Sequence, residues 1–469
     1  MKSLSKYSLS ALVLLSVFLN LRPAEAKISK YRKAIDSVGS AKEILKKYKI
    51  DSSQVSIQIL DGEDEVFAVA AKSKKIPASI SKILTSYAIL KRFPPGFHFY
   101  TRAYTDGKNV YLKGGGDPSF VSENMWFLVN ELTRSGIKNF SGDIIVDDTL
   151  FDEVRYDESR ESTRVDRAYD SPVGAMSFNW NAVNIFVKPT QPGKKARVVV
   201  DPESNFFDLV NNTNTVYAAK KDLAAGISNS EKLITVSGDV PQDAPEKAIF
   251  KGIEAPAMWA GANFKFFLEQ RGIKVAGKIR QGLTPENAEL LASYESKNLS
   301  YIMSDMNKFS NNFVAEMLTK GMAAQEMKMH ATLKRGVEII QEELAKVGVG
   351  PDEVIIKNPS GLTRDNQISA EAMNKVLTVI KNDFSLFPTF VDSLPIAGID
   401  GTLKKRFKET IGEGWIRAKT GYINNVVSLA GYAGRRDGRV LTFSFLYNGP
   451  RDESQVREAF DQVLLSSLK

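Results

Sequence analysis

The sequence predicts an α/β (α+β) fold in which the two ends of the chain build one helix-covered sheet, interrupted by a long strand-rich insertion. Near the start, Val55 to Leu60 alternates apolar and polar residues, Asp61-Gly62 reads as a turn, and Val66 to Ala71 reads as the returning strand of a β-hairpin. Near the end, Val426 to Tyr432 and Val440 to Tyr447 read as strands around a turn at Arg435 to Gly438. They are followed by Glu453 to Leu468, which carries Val456, Phe460, Val463 and Leu464 on one helical face. Between these ends, from about residue 97 to 283, short strands and turn signals alternate.

The first 26 residues read as an export signal. Lys2 and Lys6 open it, Leu9 to Leu21 is mostly apolar, and Ala24-Glu25-Ala26 gives a small-x-small cleavage pattern before Lys27. The apolar run is short of the ~20 residues that span a bilayer, and no later segment is long and apolar enough, so no transmembrane segment is expected in the mature chain. Lys30 to Lys47 is expected to be helical. Pro77-Ala78-Ser79 opens a helix whose apolar residues include Ile80, Ile83, Leu84, Tyr87 and Leu90, and Phe93-Pro94-Pro95-Gly96 ends it.

In the middle region Val110 to Leu112, Ile144 to Val146, Arg197 to Val200 and Leu233 to Val236 read as strands. Gly114-Gly115-Gly116-Asp117-Pro118 and Gln191-Pro192-Gly193 read as turns. Helical periodicity returns near Ser300, with Met317 to Lys320 and Thr332 to Val347 amphipathic. The expected organisation is a signal over 1–26, a catalytic domain from 27–96 with 284–469, and an inserted β-rich module over 97–283.

The chain has 469 residues, 43% hydrophobic and 25% charged, enough for two or three packed domains. It contains no cysteine, which excludes disulfides, thiolate metal sites, a cysteine nucleophile and a lipid-modified cysteine. The formal charge is +8; three cations against one carboxylate in the signal leave about +6 after cleavage. A basic surface suits anionic polymers, but no aromatic-interleaved basic patch suggests nucleic acid as a partner. The two histidines, His98 and His330, belong to no H-E-x-x-H, and there is no G-x-S-x-G. Zinc hydrolysis and a Ser-His-Asp triad therefore lack support, and neither a metal nor a cofactor is expected.

Three short motifs remain, in order: Ser79-Ile80-Ser81-Lys82, Ser310-Asn311-Asn312 and Lys419-Thr420-Gly421. In the first, the i to i+3 spacing puts a hydroxyl and an amine on one helix face within contact range. The first turn of a helix also offers free N–H groups to developing negative charge. Serine is a weak nucleophile without an adjacent base. A lysine can serve as that base when desolvation and nearby positive charge, which Lys419 could supply, lower its pKa. An S-x-x-K alone is weak; the ordered triplet is specific.

These motifs resemble those of the penicillin-recognising serine enzymes. The gap from Ser79 to Ser310 is 231 residues and that from Ser310 to Lys419 is 109. The long first gap resembles the class C low-molecular-mass penicillin-binding proteins, the D-alanyl-D-alanine carboxypeptidase/endopeptidase family. Lys308 to Phe313 with Ala315-Glu316, Asn358 to Arg364, Leu394 to Gly398 with Asp400 to Leu403, and Leu112 to Pro118 resemble further runs of that family.

The resemblance implies a transpeptidase/β-lactamase-like sheet and hydrolysis of D-alanyl bonds in periplasmic peptidoglycan stem peptides, with β-lactams as covalent inhibitors. It implies Ser79 as nucleophile, Lys82 as base, Ser310 as proton relay, Asn312 as orienting amide and Lys419 as fixed charge. Thr420 would bind the substrate's terminal carboxylate, Gly421 would line the substrate-binding strand, and the Ser79 and Tyr422 amides would form the oxyanion hole. Leu362 and Arg364 would border a side-chain subsite, whose acidic member falls near Arg164 or Asp166, ahead of Tyr169. A serine β-lactamase and a catalytically silent wall-binding homologue are the alternatives.

Overall fold

The computed structural model describes residues 40–94, 96–159 and 171–468. The expected signal, the first part of the expected 30–47 helix, and Arg164, Asp166 and Tyr169 lie outside the described residues. The chain divides into two compact units. One comprises residues up to Lys75, Ser369–Asn374 and Pro395–Lys469; the other comprises Ile76–Ile368 and Lys375–Leu394.

The first unit is organised by a five-stranded antiparallel sheet in the order Ile416–Ile423, Val426–Gly434, Val440–Asn448, Val55–Asp61, Asp64–Val69. The N-terminal hairpin thus completes a sheet begun by the C-terminal strands, as the sequence predicts. Period-two patterning explains the register. Val55, Ile57 and Ile59 share one face with Leu441, Phe443 and Phe445, and they bury against Ile44, Leu45, Val456, Phe460 and Val463. Those helical residues come from Ala41–Lys47 and Glu453–Ser466. Burying each such side chain contributes ~1.5–3 kcal/mol relative to exposure.

The opposite face of the same sheet is buried but polar. Ala370 N donates to Ser56 Oγ at 2.9 Å, Asn374 Nδ2 to Gln58 Oε1 at 3.1 Å, and Ser444 Oγ to Asn374 Oδ1 at 2.7 Å. Cross-strand register carries this row outward from Gln58 through Ser444 and Ala430 to Lys419. The lysine of the third motif therefore stands on the polar face of the sheet, away from the apolar core.

The second unit holds a mixed five-stranded sheet in the order Ile279–Gln281, Ile144–Asp147, Val110–Lys113, Tyr100–Thr105, Glu289–Glu295. It also holds two three-stranded sheets, one of them formed by Asp208–Val216, Ala224–Ser228 and Leu233–Pro241, and two short two-stranded pairs. One apolar cluster runs from Ala103 to Ala292 and joins these sheets.

Two helices occur where the sequence reads as strands and turns: Ser122–Thr133 and Pro256–Gln270. Their apolar residues are not confined to one stripe, which blurs the helical period. Trp126 and Phe127 are exposed on the first, opposite buried Met125, Leu128, Val129 and Leu132. The second carries four aromatic residues, a composition that favours strands. At Gly261 a Cβ would meet Ile279 Cγ2 at 2.6 Å and Val146 Cγ2 at 2.8 Å, so glycine lets this helix sit directly on the sheet.

The remaining helices of this unit include Ser81–Arg92, Leu299–Lys308, Asn312–Met327 and Leu333–Ala345. Asn312–Met327 is buried on every side from Asn312 to Ala324. Among the described residues, no helix is long and apolar enough to cross a membrane.

Candidate active site

Ser79 sits in a tight turn, Ala78–Ile80, that leads directly into the helix Ser81–Arg92. Ala78, which precedes it, is buried with φ +50. A non-glycine residue in that region is strained and persists only when its surroundings dictate it. Gly361 supplies part of that constraint: with φ +81, its Cβ would lie 2.0 Å from Ala78 O, so a loop can press against the turn only because no side chain is present. Ser79 is half-buried and reachable, whereas Lys82 is fully buried beneath it.

The lysine amine is held by oxygens from three parts of the unit. Lys82 Nζ lies 3.2 Å from Ser79 Oγ. It donates to Asn312 Oδ1 at 2.7 Å and to Ser360 O at 2.6 Å. The two short bonds fix the amine, and the serine hydroxyl stands within proton-transfer distance of it. Asn312 opens its helix after Asn311, whose side chain caps Val314 N at 3.2 Å. Ser310 occupies the preceding turn with φ +56 and is half-buried.

The Ser360 carbonyl escapes sequence reasoning because a backbone atom carries no residue signature. The loop that presents it, within the run Asn358 to Arg364, does carry an Asn-Pro-Ser-Gly turn pattern. Asn358 Oδ1 accepts from Ser360 N at 2.8 Å, Ser360 Oγ at 2.5 Å and Gly361 N at 3.0 Å. Asn366 Nδ2 ties the loop to itself and to the nucleophile helix, donating to Asn358 O at 2.7 Å and Ser81 Oγ at 3.0 Å. Thr85 Oγ1 donates to Pro359 O at 2.8 Å. Leu362 and Arg364 follow on the same loop, both half-buried. Behind it lies a cavity of about 660 Å³ whose walls include Asp157, Glu316, Lys320 and Lys357.

Lys419, Thr420, Gly421 and Tyr422 belong to the other unit, on the edge strand Ile416–Ile423. Pro395 to Ala397 cover the start of that edge: Ala418 N donates to Pro395 O at 3.1 Å and Ala397 N to Ile416 O at 3.0 Å. By strand alternation the amides of Thr420 and Tyr422 face the same way as that of Ala418. Thr420 Oγ1 donates to Thr402 Oγ1 at 2.8 Å, and Lys419 Nζ donates to Thr420 O at 2.7 Å. Lys419 is completely buried, and the loss of hydration lowers its pKa to about 7.

The sequence pattern of the D-Ala-D-Ala carboxypeptidase 3 (S13) family matches residues 38–466. The chain belongs to this family. It is a serine-type D-alanyl-D-alanine peptidase of the penicillin-binding kind. Among its S13 relatives, the D-alanyl-D-alanine carboxypeptidase of Actinomadura sp. (strain R39) is 28% identical over 449 residues, covering 90% of this chain and 82% of the relative. The D-alanyl-D-alanine carboxypeptidase DacB of Haemophilus influenzae is 26% identical over 391 residues, covering 80% of each.

The crystal structure of penicillin-binding protein 4 (dacB) from Haemophilus influenzae superposes with a TM-score of 0.77 at 22% identity. It covers 91% of this chain and 98% of that one, and the match establishes the fold. The same protein has been crystallised with a β-lactam. The S13 membership favours the peptidase over the β-lactamase and scaffold alternatives.

Proposed function

We propose that Ser79 is the nucleophile and Lys82 the general base of a D,D-peptidase acting on peptidoglycan stem peptides. One observation carries this reading: the buried amine of Lys82, fixed by Asn312 Oδ1 and Ser360 O, stands 3.2 Å from Ser79 Oγ. Lys82 takes the hydroxyl proton as Oγ bonds to the scissile D-alanyl carbonyl carbon. The C–N bond then breaks, and Ser310 passes the proton to the departing amine. Asn312 orients both Lys82 and the substrate amide. Water attacks the resulting ester, the C–Oγ bond breaks, and the serine is restored.

In the same reading Lys419 contributes positive charge, Thr420 receives the terminal carboxylate, and Gly421 belongs to the substrate-binding strand. The Ser79 and Tyr422 amides form the oxyanion hole, and Leu362 and Arg364 border the side-chain subsite. The substrates are D-Ala-D-Ala termini, D-Ala-diaminopimelate cross-links, or both. A β-lactam opens onto Ser79 Oγ and leaves the same kind of ester.

The domain assignment belongs to this reading. Residues 27–96 with 284–469 form the catalytic domain and 97–283 the inserted module, whose apolar core runs from Ala103 to Val275 and takes in Ala292 from the flanking strand. The signal-like start, Lys2 to Ala26, supports export to the periplasm with cleavage before Lys27.

The test is mass spectrometry of a labelled penicillin adduct, with chromatography of cross-linked muropeptides incubated with wild type and Ser79→Ala. The expected result is an adduct on residue 79, D-alanine release or cross-link loss with wild type, and neither with the variant. An adduct elsewhere, or undiminished cleavage by Ser79→Ala, overturns the assignment.

A further inference from the structure

From Asn312 to Ala324 the helix Asn312–Met327 is buried on all sides, yet it carries a polar stripe at i, i+4 and i+8: Asn312, Glu316 and Lys320. A buried ionic stripe is a poor stabiliser, because apolar residues of similar volume usually do as well or better. Its contacts point elsewhere. Asn358 Nδ2 donates to Glu316 Oε1 at 3.3 Å and to Asp157 Oδ2 at 2.6 Å, and Ser360 Oγ faces the same Glu316 oxygen at 3.4 Å. Lys320, anchored to Asp152 at 2.5 Å and to Val154 O at 2.7 Å, interacts electrostatically with Glu316 from the next turn.

We infer that Glu316 is a positioning residue for the acylation step. Together with Asp157, whose contact with Asn358 Nδ2 is the shorter at 2.6 Å against 3.3 Å, it orients the Asn358 carboxamide, which in turn holds Ser360 so that its carbonyl meets Lys82 Nζ. Asn312, one turn earlier on the same helix, supplies the other short acceptor of that amine. Both acceptors are thereby referenced to one rigid helix, and the aim of Lys82 at Ser79 Oγ follows from that helix. A carboxylate suits the place because Asn358 turns its donor side toward it while spending Oδ1 on three donors of the 360–361 turn. The carboxylate touches no reacting atom and acts only through its neighbours.

The inference rests on Lys82 being the base. The experiment follows covalent attachment of a fluorescent penicillin by stopped flow in the full-length mature protein, separating reversible binding from the limiting acylation rate. For Glu316→Ala the limiting rate is expected to fall by roughly ten- to a hundredfold while the reversible Kd stays within about threefold, the signature of lost aim. Glu316→Gln, which keeps an oxygen for Asn358 Nδ2, is expected to recover most of that rate.

Should Glu316→Ala fail to fold, Ser360→Ala carries the test. It removes the hydroxyl between Asn358 and Glu316, leaves the carbonyl, and is expected to slow acylation in the same selective way. Unchanged acylation in folded variants overturns the inference and leaves the nucleophile assignment standing, as does a loss that appears only in Kd. A wild-type protein that takes no label at residue 79 overturns the assignment itself.

Discussion

Lys82 and Lys419 are both completely buried, and their surroundings treat the amine differently. Around Lys82 the chain assembles oxygens from a helix start, a carboxamide and a loop carbonyl, the two shortest contacts at 2.6 and 2.7 Å. Lys419 Nζ also meets an acceptor, the Thr420 carbonyl at 2.7 Å, yet loss of hydration still brings its pKa down to about 7. Directional acceptors decide where an amine and its proton point. Desolvation decides whether the proton is present at all. In the proposed mechanism the first suits a group that must face one hydroxyl, and the second suits a charge poised near neutrality.

The largest expected effect breaks the comparison on the Lys82 side. Lys82→Met removes the proposed base and is expected to lower the rate of covalent penicillin attachment by ~10²–10⁴-fold. It also leaves Asn312 Oδ1 and Ser360 O without their buried donor, a loss of about 1–3 kcal/mol per unsatisfied group at worst. The variant is therefore expected to be slower and less stable together. Acylation within tenfold of wild type, measured by gel fluorescence over time, would place the base elsewhere.

On the Lys419 side the stability effect is expected to reverse in sign. The folded pKa is near 7 and the unexposed cost is absent in the unfolded chain, whose lysine titrates near 10.5. Below pH 7 both states hold the proton and the full cost of burying a cation is present. Between pH 7 and about 10.5 the unfolded chain binds more protons, so stability rises with pH through that window. Lys419→Met avoids the buried cation and is expected to be more stable than wild type at pH 6, by up to a few kcal/mol, read as a higher unfolding temperature. That advantage should shrink by pH 9.5. Thermal unfolding at the two pH values checks it, and a gap that does not change with pH would refute the desolvation account.

The contrast also explains what could be read from sequence. Ser79 and Lys82 are separated by one helical turn, so local geometry alone predicts their contact, and the sheet hairpins declare themselves through period two and Asp61-Gly62. Asn312 was legible as a motif member. The Ser360 carbonyl was not, because its role depends on a loop folded by Asn358 and Asn366 and on Gly361 pressed against Ala78. Glu316 stands out in the sequence only as a member of the Lys308 to Glu316 run, and its contacts with Asn358 and Ser360 emerge only once its helix is seen buried around it. The helices Ser122–Thr133 and Pro256–Gln270 were lost because apolar and aromatic residues surround them, leaving no single stripe to detect.

The smallest effect separates scaffold from chemistry. Asp452 caps the closing helix of the sheet unit, its carboxylate accepting from Ser454 N at 3.0 Å and Gln455 N at 3.2 Å. That helix delivers Val456, Phe460 and Val463 to the apolar face of the sheet, the face opposite Lys419. Asp452→Ala removes the cap and is expected to lower the unfolding temperature by a few degrees. Because the cap acts on the core side only, the penicillin acylation rate at 25 °C should stay within about twofold of wild type. A stability loss without a rate loss would show that the polar face tolerates a weakened core. A rate loss disproportionate to the stability change would mean that the Lys419 strand depends on this helix for more than its place in the sheet.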